Sequence, residues 1–230
     1  MLLKGQFKKG KFIERPNRFM SIVEMEGKTV EAHLPNPGRI KEILYPGVDV
    51  ILRKENGSKR KTGYTLVMVY KNDMLISLNT TLPNKLTEEA LKAGKLECFK
   101  DYKLIRREVQ YKNSRFDFLL EKENKFCFLE VKSVSLVKDR KAMFPDAPTI
   151  RGTRHLHHLM EAMDEGYEAA VLFVIQRDDA DSFSPHHETD PVFAKTLREA
   201  YEYGVKVYVH KCNISLYKAE VDGEIKAIEL

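Results

Sequence analysis

Three cysteines in 230 residues, Cys98, Cys127 and Cys212, are too few and too scattered for a disulfide framework or a zinc ribbon. No apolar run approaches the roughly 18 residues that cross a bilayer, so a membrane partner is not expected. Met1 to Gln6 contains no apolar core of a signal peptide, and the cytoplasm is the expected compartment. No glycine-rich phosphate loop, dinucleotide fingerprint or Ser-His-Asp order is visible. His155, His157 and His158 lack partners at zinc-ligand spacing. Internal repeats and low-complexity stretches are also missing.

What is there is a chain able to bury a core, with 43% hydrophobic residues and a net charge of +5. The charge is unevenly placed. Residues 1–84 hold 15 Lys and Arg against 8 Asp and Glu, an excess of seven. Residues 85–230 hold 24 against 26. A basic module joined to a mildly acidic one points to an anionic partner for the first.

Residues 1–83 read as short strands with turn punctuation. Phe19 to Met25 and Thr29 to Leu34 flank Glu26-Gly27-Lys28, a hairpin signal. Val48 to Arg53 runs to Asn56-Gly57, a strong turn dipeptide, and Tyr64 to Tyr70 and Leu75 to Leu78 follow. About five short strands in roughly 80 residues predict a small closed barrel, with the oligonucleotide-binding (OB) barrel as the first candidate.

The pattern changes at Leu82-Pro83-Asn84. Thr87 is a candidate cap for a helix with Glu88 and Glu89 near its start and Gly94 as its stop. Three strand-like runs come next: Leu104 to Tyr111, Arg115 to Leu120 and Phe126 to Val134. The spacing of Leu156, Leu159, Met160 and Met163 predicts a helix over residues 151–165 with one buried stripe. Ala169 to Ile175 is a continuous apolar run, as in a central strand covered on both faces. Asp190-Pro191 opens a last helix, Gly204 ends it, and Val205 to Val209 is a strand. Residues 84–230 are thus predicted to form an α/β sandwich with a mixed sheet. The chain as a whole reads as a two-domain α+β and α/β protein.

Chemistry concentrates on two of those strands. Side chains alternate along a strand, so Glu130 and Lys132 project together while Val131 points into packing. Asp117 lies on the neighbouring strand and can bring its carboxylate beside Glu130. Two carboxylates and a lysine on one face suit a hard divalent cation, Mg²⁺ or Mn²⁺. Glu-Val-Lys alone is short, and an ion pair between Glu130 and Lys132 satisfies the same pattern.

An aspartate followed by Glu-x-Lys on adjacent strands, after a helix, resembles the PD-(D/E)xK nuclease superfamily. The resemblance implies Asp117, Glu130 and the Val131 carbonyl as metal ligands, and Asp117, Glu130 and Lys132 as the catalytic group. A closer resemblance spans nearly the whole chain. His33-Leu34-Pro35-Asn36-Pro37-Gly38-Arg39, Leu82-Pro83-Asn84, Arg115-Phe116-Asp117-Phe118-Leu119 and Glu130-Val131-Lys132-Ser133-Val134 carry its first part. Phe144-Pro145-Asp146-Ala147-Pro148-Thr149, Arg151-Gly152, His155-Leu156 and Phe173-Val174-Ile175-Gln176-Arg177 continue it. These segments are similar to those of the sugar fermentation stimulation (SfsA-type) protein family. That family implies an OB-type barrel, a restriction-endonuclease-like C-terminal domain and DNA binding, with a regulatory role left open. A Mg²⁺-dependent nuclease acting on DNA or another nucleic acid is the alternative. DNA, single- or double-stranded, is the expected partner, and the oligomeric state stays open, a dimer included.

Further candidates for holding nucleic acid are Arg39 in a rigid turn, and Lys54, Lys59, Arg60 and Lys61 around a hairpin tip. Arg151 and Arg154 are expected on the exposed side of their helix together with His155 and His158. Phe19, Tyr64 and Tyr70 could stack on bases, although barrel aromatics more often form core. Asp146 is either a support to the metal site or the start of a helix. Glu108 reads as a surface strand position rather than a further ligand.

Overall fold

The computed structural model describes residues 1–56 and 61–230. Lys59, Arg60 and the Gly57 of the expected turn lie outside the described residues.

The N-terminal part is a barrel of β1 (Phe7–Asn17), β2 (Met20–Met25), β3 (Lys28–His33), β4 (Asp49–Lys54), β5 (Tyr64–Lys71) and β6 (Met74–Ser77). Pairing runs β3-β2-β1-β4-β5, and β3 then pairs in parallel with β5 at Ala32↔Tyr64 and His33↔Thr65, closing five strands. β6 continues beyond β5. Val23, Leu34, Val50, Leu66 and Ile76 fill the interior. The sequence pattern does not announce β1, because only Gly10 and Phe12 of its residues are buried. Gly10 allows β1 and β2 to approach closely. A Cβ there would lie 2.7 Å from Val23 Cγ1 and 2.8 Å from the Glu24 carbonyl oxygen.

The C-terminal part starts with α1 (Leu82–Lys92). The helix begins six residues earlier than Thr87 suggested, with Thr81 at the N-cap and Pro83 in the first turn. Thr87 is instead buried mid-helix beside the apolar stripe Leu82, Leu86 and Ala90. Its hydroxyl has no hydrogen-bond partner. After a short 3₁₀ turn come β7 (Lys103–Tyr111), β8 (Ser114–Lys122) and β9 (Lys125–Val134). Then follow β10 (Val137–Lys138), β11 (Lys141–Phe144), α2 (Ile150–Asp164), β12 (Glu168–Ile175) and β13 (Ser182–Pro185). The chain ends with α3 (Pro191–Tyr203), β14 (Lys206–Ile214), β15 (Ala219–Glu224) and β16 (Ala227–Ile228). The main sheet has the order β15-β14-β12-β9-β8-β7. Its centre, β9, β12 and β14, is parallel, and β8, β7 and β15 join antiparallel. The mixed α/β sandwich expected of residues 84–230 is therefore what forms.

Two cores sandwich this sheet. α1 packs on one face with Phe118, Leu129 and Leu172. α2 and α3 cover the other with Phe116, Phe128, Val171 and Phe173. A small second sheet, β10-β11-β13-β16, caps that side. Its strands of two to four residues are too short to show a period of two, so the sequence does not foretell them. Asp190 caps α3 as expected, accepting from Phe193 N–H at 2.9 Å. Among the described residues no helix is long and apolar enough to cross a membrane.

Polar contacts tie the two parts together. Ile40 N–H donates to Asp146 Oδ2 at 2.6 Å. Ser77 N–H reaches the Gln176 carbonyl at 3.3 Å, and Lys71 pairs with Asp179 at 3.4 Å. The first residues also pair with the far part of the chain, Leu3 N–H donating to the Tyr217 carbonyl at 2.8 Å.

Candidate metal centre and nucleic-acid interface

β8 and β9 pair regularly from Lys122↔Lys125 up to Phe118↔Leu129, where the ladder ends. At that end Asp117 takes over the bonding with its side chain. Its Oδ2 accepts from Val131 N–H at 2.8 Å, and its Oδ1 accepts from the Asn84 side-chain amide in the first turn of α1. Phe116 lies in the α2/α3 core and Phe118 in the α1 core, although residues two apart on a regular strand share a face. The strand is therefore wrenched at Asp117. On β7, Glu108 has a positive φ of 51° next to this distortion.

Glu130 and Lys132 do share one face of β9, the α2 side, while Leu129 and Val131 pack toward α1. Glu130 is 4% exposed. Its Oε1 receives Lys132 Nζ at 2.7 Å and His155 Nδ1 at 2.6 Å. Arg151 Nε points to His155 Nε2 at 3.3 Å. An arginine Nε–H can only donate, so His155 Nε2 accepts and the ring proton sits on Nδ1, aimed at Glu130. Glu130 Oε2 is buried without any partner. Such an orphaned carboxylate oxygen costs free energy unless something positive or protic meets it.

The two carboxylates are in different electrostatic states. Burial and then the nearby charge of Glu130 push Asp117 up to about 6, against the pull of Val131 N–H, Lys132 and Asn84. Burial also acts to raise Glu130, but Lys132 and His155 outweigh it and hold its pKa below the ordinary carboxylate value. Glu130 thus ionises well before Asp117 as pH rises.

Both carboxylates line a cleft of about 430 Å³ between the two parts of the chain. Val131, Lys132 and Arg151 line it too, so the structure assembles the expected Asp-Glu-Lys set with one of the expected arginines. The opposite wall is the barrel turn Asn36-Pro37-Gly38 with Arg18. Arg15 builds that turn, donating to the carbonyls of Gly38, Asn36 and Arg18 at 2.7 Å each. Asp146 turns out to be the clasp holding this turn against the C-terminal domain, through the Ile40 bond.

Other expected residues lie apart. Arg39 follows the turn but is exposed and outside the cleft lining, and Arg154 is exposed one helical step beyond Arg151. Lys54 and Lys61 are exposed on the barrel. Lys61 borders a separate surface hollow with Phe19 and His33. Glu108 is on the surface, 3.4 Å from Arg115. His155 and His158 are not on an exposed face. They are 1% and 9% exposed, because the α2 stripe is rotated toward Gly152, His155 and Leu159 relative to the methionine-based one. Met160 and Met163 are only partly buried.

Sequence reasoning missed Asn84, Arg18 and the inward role of His155. Asn84 and His155 sit in segments that were legible as motifs, but their partners are 33 and 25 residues away. Arg18 was hidden because its turn follows the unannounced β1.

The residues present fit a divalent cation. Mg²⁺ and Ca²⁺ take hard oxygen ligands, and Mg²⁺ often uses only one or two protein carboxylates beside waters and phosphate. Glu130, whose Oε2 is unused, lines the cleft, and Asp117 brings a second carboxylate to the same lining. Among the described residues no group of three or more His, Cys, Asp or Glu is arranged to hold a metal, so an all-protein cage is not formed.

Residues 13–78 match the family model described as the SfsA N-terminal OB domain, and residues 81–218 match the sugar fermentation stimulation protein RE domain. A sugar fermentation stimulation protein homolog of Caldanaerobacter subterraneus is 46% identical over 93% of both chains. One from Clostridium kluyveri is 46% identical over 98% of this chain and 99% of its own. Among solved structures, Pyrococcus furiosus SfsA in complex with Ca²⁺ is similar over 100% of both chains, with a TM-score of 0.90 and 28% identity.

Proposed function

Since the chain belongs to the sugar fermentation stimulation protein family, we propose that it is a DNA-binding protein whose interdomain cleft is a divalent-metal-dependent phosphodiesterase site. The observation that carries this reading is the buried, unpartnered Glu130 Oε2 beside Asp117, in a cleft also lined by Lys132, Arg18 and Arg151. The Pyrococcus furiosus relative was solved with Ca²⁺, a cation of the same oxygen-seeking class as Mg²⁺ and Mn²⁺.

Asp117, Glu130 and the Val131 carbonyl would hold the ion. When bound, such an ion polarises a phosphate oxygen and lowers the pKa of a coordinated water. The protein's own groups do the rest. Arg18 and Arg151 reach the cleft from opposite walls and suit the oxygens of a phosphodiester. Lys132, on the same strand face as Glu130, orients the attacking water or offsets charge that develops on the phosphate. Lys132 and His155 occupy Glu130 Oε1, with Arg151 fixing the His155 ring, which leaves Oε2 as the oxygen free for the cation.

The test is cleavage of plasmid and single-stranded DNA in Mn²⁺, in Mg²⁺ and in EDTA, by wild type and by Lys132→Ala purified in parallel. Metal-dependent cleavage by wild type is expected. Lys132→Ala should lower it by about a hundredfold or more, the scale of losing one preorganised charge, with DNA affinity nearly kept. Equal cleavage by both proteins refutes the assigned site. Salt-dependent DNA binding without any cleavage by wild type leaves the protein a binder and removes the phosphodiesterase reading.

A further inference from the structure

The turn between β1 and β2 presents consecutive side chains to two different places. Arg18 lines the cleft, whereas Phe19 faces a surface hollow of about 480 Å³ outside it. Phe19 is 51% exposed, an unusual position for a phenylalanine on a barrel whose core is complete without it. Its backbone is nevertheless tied down. Phe19 N–H donates to Asn17 Oδ1 at 3.0 Å, and the Phe19 carbonyl accepts from Leu34 N–H at 2.9 Å. The same carbonyl lies 3.2 Å from His33 Nδ1. A carbonyl only accepts, so this contact places a ring proton on His33 Nδ1. The two rings lie 26° from parallel with centroids 6.4 Å apart. Lys61 and Thr62 border the same hollow.

We propose that Phe19 and His33 form a stacking site for an unpaired nucleobase, and that the strand entering the cleft is single-stranded. The inference rests on the nucleic-acid reading above and adds the form of the substrate. Three features support it. Aromatic faces held open on a rigid backbone are what unpaired bases stack on, and a base inside a duplex has both faces covered already. Lys61 and Arg18 flank the platform with positive charge suited to the phosphates on either side of the stacked base. The cleft itself is walled on both sides, by the Asn36–Gly38 turn and by the segment from Phe144 to Thr149, which the Asp146–Ile40 bond clasps together. Its 430 Å³ lies in the range of pockets that enclose one small molecule, about 300–1,000 Å³, which is room for a nucleotide rather than a duplex. A strand laid along this path has a base on Phe19, a phosphate at Arg18 and its next nucleotide in the cleft.

The test uses the full chain in EDTA with a single-stranded oligonucleotide carrying 2-aminopurine, against a blunt duplex of the same length. Wild type should bind the single strand at least about tenfold more tightly and quench the 2-aminopurine by stacking. Phe19→Ala should weaken single-strand binding by about 5- to 150-fold, the equivalent of one base–aromatic stack. It should leave the salt slope unchanged, because no charge is removed. Phe19→Tyr should restore both affinity and quenching. Phe19 is exposed, so an unchanged melting temperature identifies a folded variant. Tighter binding of the blunt duplex, or Phe19→Ala binding as well as wild type, overturns the stacking site while DNA binding stands. Binding of neither oligonucleotide overturns this inference together with the proposed function.

Discussion

Replacing Asp117 by Asn should stabilise the metal-free protein above pH 6 and leave it almost unchanged near pH 4. In the native protein the carboxyl is raised from its ordinary 3.8 to about 6, first by burial and then by Glu130. A group raised in this way binds its proton more tightly folded than unfolded. Stability therefore falls as pH climbs from about 4 to about 6, and the full penalty is present above that. At 1.36 kcal/mol per pKa unit the shift is equivalent to about 3 kcal/mol. Asn keeps an acceptor for Val131 N–H, and Asn84 can turn its own amide to meet the new one. Weakening two charge-assisted bonds should return about 1 kcal/mol of the gain. The remaining ~2 kcal/mol corresponds to a melting temperature raised by about 4–8 °C for a chain of this size. The assay is thermal unfolding of both proteins in EDTA at several pH values from 4 to 8, repeated at pH 8 with Mn²⁺. The ion needs an ionised Asp117, so wild type should gain a metal increment that grows through pH 6 and the variant should lose it. A difference between the proteins that is the same at pH 4 and pH 8, or a variant less stable at pH 8, would refute the electrostatic reasoning.

Three further positions probe the packing of α1, the barrel and the clasp between the two parts. Thr87→Val removes a buried hydroxyl without a partner, and should raise stability by about 1 kcal/mol in urea unfolding; a loss of stability would mean the hydroxyl is satisfied. Gly10→Ala forces a methyl group against Val23 and the Glu24 carbonyl, so the urea midpoint should drop by the equivalent of about 1–3 kcal/mol. Asp146→Ala leaves Ile40 N–H without its acceptor and should lower stability by about 1–3 kcal/mol. Asp146→Asn, which still offers an oxygen, should recover most of that loss in the same measurement.

Much of this protein was readable from local rules. Strand alternation placed Glu130 and Lys132 on one face and Val131 on the other, and apolar runs located β9 and β12. Asp190-Pro191 and Gly204 bounded α3 because capping involves only neighbouring residues. The exceptions have physical causes as well. β1 buries only two residues, so it shows no alternation. Thr87 has the right chemistry for a cap, but Leu82, Leu86 and Ala90 bury together only if the helix starts earlier. His155 looked polar enough for water, yet the sheet beneath α2 offers it Glu130 as a partner that solvent exposure would waste, while His158 packs edge-on against the Tyr111 ring. The parity break at Asp117, the Asn84 amide on its carboxylate and the Asp146 bond to Ile40, 106 residues away, depend on chain segments that meet only after folding. Sequence by itself therefore determined which residue types were available for a metal and a phosphate and on which strands they stood. Only the tertiary structure decided which oxygen was left unpartnered, which carboxylate was pushed toward neutrality, and that the barrel closes over the site. Those properties come from burial and from contacts between distant segments, and no local pattern encodes them.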